Sequence, residues 1–305
     1  MKSRTAMKTL SYTAIALFMF FTSCKESDTI SFSGDDNSNL QSEASSDAQL
    51  EDMSDLSGVA VSSDAGTLTG SRSNPSARTI DLSGDSRFSC AIVTLEFDAN
   101  DNVPGIGAAA NPHGYITIDF GTGCTGPNGR VRKGKILIEF RGRRFMPGST
   151  VTITTDGYSV DGINIEGTRT ETNSSASTEE APTFTITEDV TVTFLDGSTA
   201  TRSATRTRTW NRAPNPLNDT WTVTGTASGK TRKGKNYVME ITKPLVFKRA
   251  CAIESKVVMP VEGTKKLTAN EKQITIDFGD GSCDTKITIT VNGKSKEIEV
   301  SANGD

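Results

Sequence analysis

Histidine occurs once in the 305 residues, at His113. A single imidazole excludes zinc sites built from several histidines, and any serine–histidine or cysteine–histidine catalysis would have to run through that one residue. His113 lies in Ala110-Asn111-Pro112-His113-Gly114 with no nucleophile motif beside it, and reads as an exposed loop residue. The G-x-S-x-G, H-E-x-x-H and P-loop spacings are all missing. Charge of one sign is also missing. The 33 Lys and Arg stand against 37 Asp and Glu for a net −4, too balanced for a nucleic-acid partner. No apolar run approaches the roughly 20 residues a membrane-spanning helix needs. The five cysteines contain no Cys-x-x-Cys, which argues against thiol redox chemistry and cysteine-bound metal.

What is present begins at the N-terminus. Lys2, Arg4 and Lys8 precede a short apolar run, Ala14 to Phe21, the arrangement of a cleavable signal peptide. Phe21-Thr22-Ser23-Cys24 resembles the lipobox of bacterial lipoproteins. That implies removal of residues 1–23 and attachment of lipid, palmitate included, at Cys24, so the membrane is the first expected partner. Lys25-Glu26-Ser27-Asp28 resembles the sorting signal of outer-membrane lipoproteins in the Bacteroidota. The expected location is the outer membrane, facing either outward or into the periplasm. Cleavage removes three positive charges and takes the net charge from −4 to −7.

Residues 24–86 read as an acidic, Ser-rich tether. Between Lys25 and Ser71 lie ten acidic residues and one Lys, too polar a stretch to offset chain entropy by burial. Leu50, Met53 and Leu56 can line one face of a short helical turn over 47–56, capped by Ser46 or Asp47.

From residue 87 to 305 apolar and polar residues alternate, as in Tyr115 to Phe120 (YITIDF) and Phe184 to Phe194 (FTITEDVTVTF). Nowhere in this region does a helical stripe persist for three turns. Asp161-Gly162, Asp196-Gly197 and Asn292-Gly293 are type I′ hairpin signals. The expectation is an all-β body, an antiparallel meander of roughly a dozen strands forming a rolled sheet, sandwich or open barrel. The body also contains an internal duplication, near 90–140 and 251–300. Cys90-Ala91-Ile92 precedes Ile116-Thr117-Ile118-Asp119-Phe120-Gly121 and Cys124, while Cys251-Ala252-Ile253 precedes Ile274-Thr275-Ile276-Asp277-Phe278-Gly279 and Cys283. A shorter echo is Arg132-Lys133-Gly134-Lys135 against Arg232-Lys233-Gly234-Lys235. In an exported chain the four cysteines imply two disulfides. Three connectivities exist, and units that close on themselves would pair Cys90 with Cys124 and Cys251 with Cys283.

The blocks ITIDFGTGCTGPNGRVRKGKI (116–136), GSTATRSATRTRTWN (197–211), KPLVFKRAC (243–251) and ITIDFGDGSCDTKITITVNGK (274–294) together resemble an uncharacterised family of Bacteroidota lipoproteins. The resemblance spans about residues 87–300 and carries no activity, cofactor or site residue. Within the last block, Asp277 to Ser282 (DFGDGS) matches the signature of polycystic-kidney-disease repeats over six residues only.

Three candidate sites follow from residue type. Asp277, Asp280 and Asp284 can converge on a hard cation such as Ca²⁺, although Asp119 and Asp277 equally suit turn-capping roles. Arg202, Arg206, Arg208 and Trp210 share one face of the strand TRSATRTRTWNR (201–212), whose two polar faces suit a sheet region not packed on a core. With Arg141, Arg143, Arg144, Lys230, Arg232, Lys233 and Lys235 they can form a ligand surface for anionic glycans or lipid headgroups, with Trp210, Trp221 and Tyr158 as stacking faces. The reading is a non-enzymatic, cofactor-free binding or structural module with a glycan, envelope component or protein as partner. An apolar-ligand carrier or chaperone is the alternative, and a glycan hydrolase comes last.

Overall fold

Period-two alternation buries one face of each strand, and hairpin turns make successive strands antiparallel neighbours. The computed structural model describes residues 34–63, 78–98, 112–126, 129–174, 176–255, 257, 259–269 and 272–299. Cys24, the leader and its sorting signal lie outside these. Fifteen strands form one antiparallel sheet. They are β1 (Arg78–Ile80), β2 (Ile92–Phe97), β3 (His113–Asp119), β4 (Cys124–Thr125), β5 (Val131–Arg141), β6 (Thr150–Val160), β7 (Ile163–Asn173), β8 (Thr183–Thr193), β9 (Thr199–Asn211), β10 (Thr220–Lys230), β11 (Asn236–Lys248), β12 (Glu262–Ala269), β13 (Lys272–Asp280), β14 (Lys286–Val291) and β15 (Lys294–Glu299). Neighbours in sequence are neighbours in the sheet throughout, except that the two-residue β4 branches off beside β5. The edges β1 and β15 are not joined, so the sheet is open and not closed into a barrel.

Two of the three hairpin signals form as expected. Asp161-Gly162 and Asn292-Gly293 have positive φ at both residues, as type I′ turns require. At Asp196-Gly197 only the glycine does. There Asp196 instead accepts hydrogen bonds from the backbone N–H and hydroxyl of Ser198, and that local bond stabilises a longer loop.

The expected tether is where the sequence reading needs correcting. Residues Gly34–Ser63 form one helix, α1, of 30 residues. Leu50, Met53, Leu56 and Ala60 on it are buried in the same cluster as Leu95, Ile116, Ile118, Ile136, Ile138 and Ile153 of the sheet. The ordered body therefore takes in the helix and β1, well upstream of residue 87. Spacings of three, three and four place the four apolar side chains on one stripe. The stripe is narrow, and the carboxylates beside it are neutralised by sheet arginines, described below. Asp47 alone reaches Arg202 and Arg206 of β9 and Lys265 of β12. Three strand spacings amount to about 14 Å in a flat sheet, so the sheet curls around α1.

The other face of the central strands carries threonine in register. Thr152, Thr170, Thr187, Thr205 and Thr226 pair in one row across β6 to β10, and Thr150, Thr172, Thr185, Thr207 and Thr224 in the next. β-Branched hydroxyl residues suit a pleated, water-facing surface.

Both disulfides pair within their own repeat unit, Cys90 to Cys124 and Cys251 to Cys283, with Cα separations of 5.6 and 5.0 Å. The Ile-Thr-Ile-Asp-Phe-Gly segments are equivalent, on β3 and β13. The Cys-Ala-Ile segments are not. The first leads directly into β2, whereas the second lies in a short helix, α2 (Arg249–Glu254), well before β12. A long β2–β3 connection in one unit and the α2 excursion in the other compensate, which keeps the cysteine spacings similar. The shorter echo is not structural: Arg132 to Lys135 lie within β5, Arg232 to Lys235 in the β10–β11 turn. The two bridges also sit at opposite ends of the sheet, Cys124 opposite Arg132 at the start of β5 and Cys251 just beyond the end of β11. Replacing Cys90 and Cys124 together by serine is expected to cost about 3.8 kcal/mol in the chain-entropy description of a loop this long. Denaturant titration of the double variant checks it.

Candidate functional site

The highest concentration of charge lies between α1 and the inner face of the sheet. Arg169 of β7 is 0% exposed and sits among three carboxylates: Glu188 of β8, Glu171 at 3.2 Å and Glu51 of the helix at 3.3 Å. Glu188, itself buried, also accepts from Arg202 Nε at 3.1 Å. Asp47 Oδ1 takes Arg202 at 2.9 Å and Arg206 at 2.6 Å, while its Oδ2 takes Lys265 at 3.0 Å. Glu51 further reaches Arg208 at 3.4 Å. Toward the start of β5, Asp52 receives Arg132 at 2.8 Å. The Ser54 hydroxyl donates to Glu171.

These contacts set the protonation states. Burial alone would raise the Asp47 carboxyl, but Arg202, Arg206 and Lys265 outweigh it and hold it well below the usual carboxylate range. Glu51 and Glu171 are lowered in the same way, burial opposing and Arg169 leading the attraction in each. Glu51 remains 40% exposed, so water screens its pairs more than those of Glu171 or Glu188. Burial, the largest influence on Arg169, acts to lower it, and Glu51, Glu188 and Glu171 more than offset that, leaving the guanidinium raised.

The candidate ligand surface of Arg202, Arg206, Arg208 and Trp210 is thus divided. Arg202 is 2% exposed and Arg206 is buried. Their face of β9 is interior rather than free, because α1 lies on it. The small residues Ala200 and Ala204 alternate with them and leave room for the helix. The remaining basic residues do not gather. Arg141, Arg143 and Arg144 lie at the end of the sheet where β5 finishes, and Lys230, Arg232, Lys233 and Lys235 at the opposite end, in and beside the β10–β11 turn. Tyr158 is fully buried and packs on Phe120, so it offers no stacking face.

Trp210 and Trp221 do come together. They pair across β9 and β10 with rings stacked at 5.9 Å, at the end of the sheet where β5 finishes. Phe145 of the β5–β6 loop lies 5.9 Å from Trp210 and 6.2 Å from Phe184. The Arg212 guanidinium lies over Trp210 at 4.3 Å and over Phe145 at 5.1 Å.

Asp277, Asp280 and Asp284 each accept the backbone N–H two residues on, from Gly279, Ser282 and Lys286. Asp119 does the same for Gly121. These are turn-capping roles, and among the described residues no three His, Cys, Asp or Glu side chains are grouped to hold a metal. His113 is not an exposed loop residue. It opens β3, is 4% exposed, and sits between Glu139 at 3.0 Å and Asp98 at 3.6 Å. Strand register places it near Glu139: His113 faces Arg141, and Glu139 pairs with Tyr115, two residues on and on the same face of the sheet.

The carboxylates of α1 and the Arg169–Glu171–Glu188 group escaped sequence reasoning. One signal pointed to them: Asp47 and Glu51 are spaced by four on the flank of the Leu50, Met53, Leu56 stripe. No protein-family model matches the chain, nor does any curated protein or solved structure.

Proposed function

We propose that this is an exported, lipid-anchored envelope protein of the outer membrane and that its sheet body is a non-enzymatic binding module. The signal-peptide and lipobox residues ending at Cys24 support export and lipidation, and two disulfides suit an oxidising compartment. The observation that carries the binding reading is the aromatic cluster at one end of the sheet, where Phe145 is 44% and Met146 57% exposed. Exposed apolar side chains grouped beside a cation mark a contact surface. A carrier of apolar ligands is the weaker reading, because α1 occupies the inner face that such a ligand would need.

Asp52 pairs with Arg132 at the start of β5, and Ser62 with Arg144 just past its end, so α1 runs along β5 toward the cluster. Cys24 lies ten residues before Gly34 in the sequence. Cys24→Ala is expected to abolish palmitate labelling and release the protein from the membrane fraction. Labelling that persists in the variant would reject the lipid assignment. Protease treatment of intact cells then reports which side of the membrane carries the body.

A further inference from the structure

We infer that the cluster of Phe145, Trp210, Trp221 and Arg212 is a subsite for a carboxylated sugar, a uronate residue of an acidic glycan. This rests on the binding-module reading and names its ligand class. The elements that converge are separate in sequence: the β5–β6 loop, the end of β9 and the start of β10. They are held rigidly. Asp219, 3% exposed, accepts from Trp210 Nε1 at 3.0 Å and from the Ala213 backbone N–H at 2.8 Å, and lies 3.7 Å from Arg249. One buried carboxylate therefore fixes the indole, the chain carrying Arg212 and the start of α2. The ring orientation is set before any ligand arrives, which removes part of the entropic cost of binding.

What this frame presents is specific. Phe145 offers a ring at the surface, about the width of one pyranose, and Met146 extends the apolar area beside it. Aromatic faces take the apolar C–H faces of sugar rings by the packing that joins them to one another. Arg212 is exposed, and no carboxylate among the described residues pairs with it. Its guanidinium lies over Trp210 at 4.3 Å and over Phe145 at 5.1 Å, on an exposed side chain whose N–H groups can reach a ligand. That geometry suits bidentate binding of a planar carboxylate. A neutral sugar would leave the cation unmatched, and an anionic headgroup without a ring would leave Phe145 uncovered. A pyranose bearing a carboxylate uses both.

The molecule supplies its own reporter. Trp210 and Trp221 are the two tryptophans of the chain, so intrinsic tryptophan emission reads this cluster alone. The experiment titrates the lipidated full-length protein in detergent with tetragalacturonate, with maltotetraose as neutral control and an acidic peptide containing one phenylalanine as a third probe. Retention of the protein on insoluble glycans is measured in parallel. Tetragalacturonate is expected to shift or quench the emission saturably, more weakly as salt rises, and maltotetraose to leave it unchanged. Phe145→Ala and Arg212→Gln are each expected to weaken binding about tenfold while the circular dichroism spectrum stays unaltered. Equal response to maltotetraose overturns the carboxylate assignment. Response to the peptide alone overturns the sugar assignment. Retention on glycans without a change in emission overturns this subsite and leaves the broader binding reading standing, whereas failure of every probe and of retention removes both.

Discussion

Replacing Glu188 by alanine is expected to destabilise the body by about 3–5 kcal/mol, the cost of removing one member of a buried ion-pair network. Glu188 is the shared carboxylate of two buried cations, Arg169 and Arg202, so its loss removes a buried partner from both at once, leaving Arg169 to Glu171 and Glu51 and Arg202 to Asp47. For a body of this size each kcal/mol lowers the melting temperature by about 2–4 °C, giving a fall on the order of 10 °C. Thr187→Ala, one residue away on the opposite, solvent-facing side of β8, is the control and should change stability by no more than about 0.5 kcal/mol. Thermal melts followed by circular dichroism separate the two. The same seam predicts a direction with pH. The carboxyls of Asp47, Glu51 and Glu171 are lowered in the folded protein, so unfolding lets them bind protons more readily. Their contribution is complete above the ordinary carboxylate range, near pH 4, and is lost as pH falls through the lowered values. Melting temperature should hold at neutral pH and fall below about pH 4, and Glu188→Ala should unfold at a higher pH than the parent. A Glu188→Ala melt matching that of Thr187→Ala would show that the seam contributes little.

The architecture was legible in the sequence because alternation and turn chemistry are local signals. YITIDF and FTITEDVTVTF show their inward residues directly, and a chain that pairs only with its neighbours needs no long-range information to order its strands. The duplication likewise singled out the cysteine pairing. The helix was not legible, for a physical reason. Composition treats the charges of Asp47, Glu51 and Asp52 as a cost of burial, which they are until Arg202, Arg206, Arg169 and Arg132 approach from strands some 80 to 160 residues away. The mirror error was made at β9, where a strand polar on both faces read as one without a core. Both errors have one origin: complementary charge on two segments makes a polar interior that neither segment reveals alone. The aromatic cluster was half legible. Its tryptophans stood out by scarcity, but Phe145 and Arg212 acquire meaning only from a loop and a strand end meeting in space.

If the charged seam is what places α1, then the helix is part of the fold rather than a spacer, and shortening it should behave unlike shortening a linker. Without α1 the inner face keeps Arg132, Arg144, Arg169, Arg202, Arg206, Arg208 and Lys265, with Glu171 and Glu188 as the carboxylates among their partners. It also exposes the apolar side chains that Leu50, Met53 and Leu56 cover. Deleting residues 34–63 is therefore expected to abolish the cooperative unfolding transition, whereas removal of a solvated tether would leave it intact. A milder variant keeps the test decisive if the deletion simply fails to express. Leu56, 0% exposed, should cost about 2–5 kcal/mol when truncated to alanine, the range for a leucine removed from a packed core. On a detached helix the same change would be nearly silent, since alanine is the stronger helix former. A Leu56→Ala protein that melts like the parent would mean that α1 does not hold the sheet. A loss in the expected range would mean that α1, far from being a solvated spacer, fills the core of the sheet body.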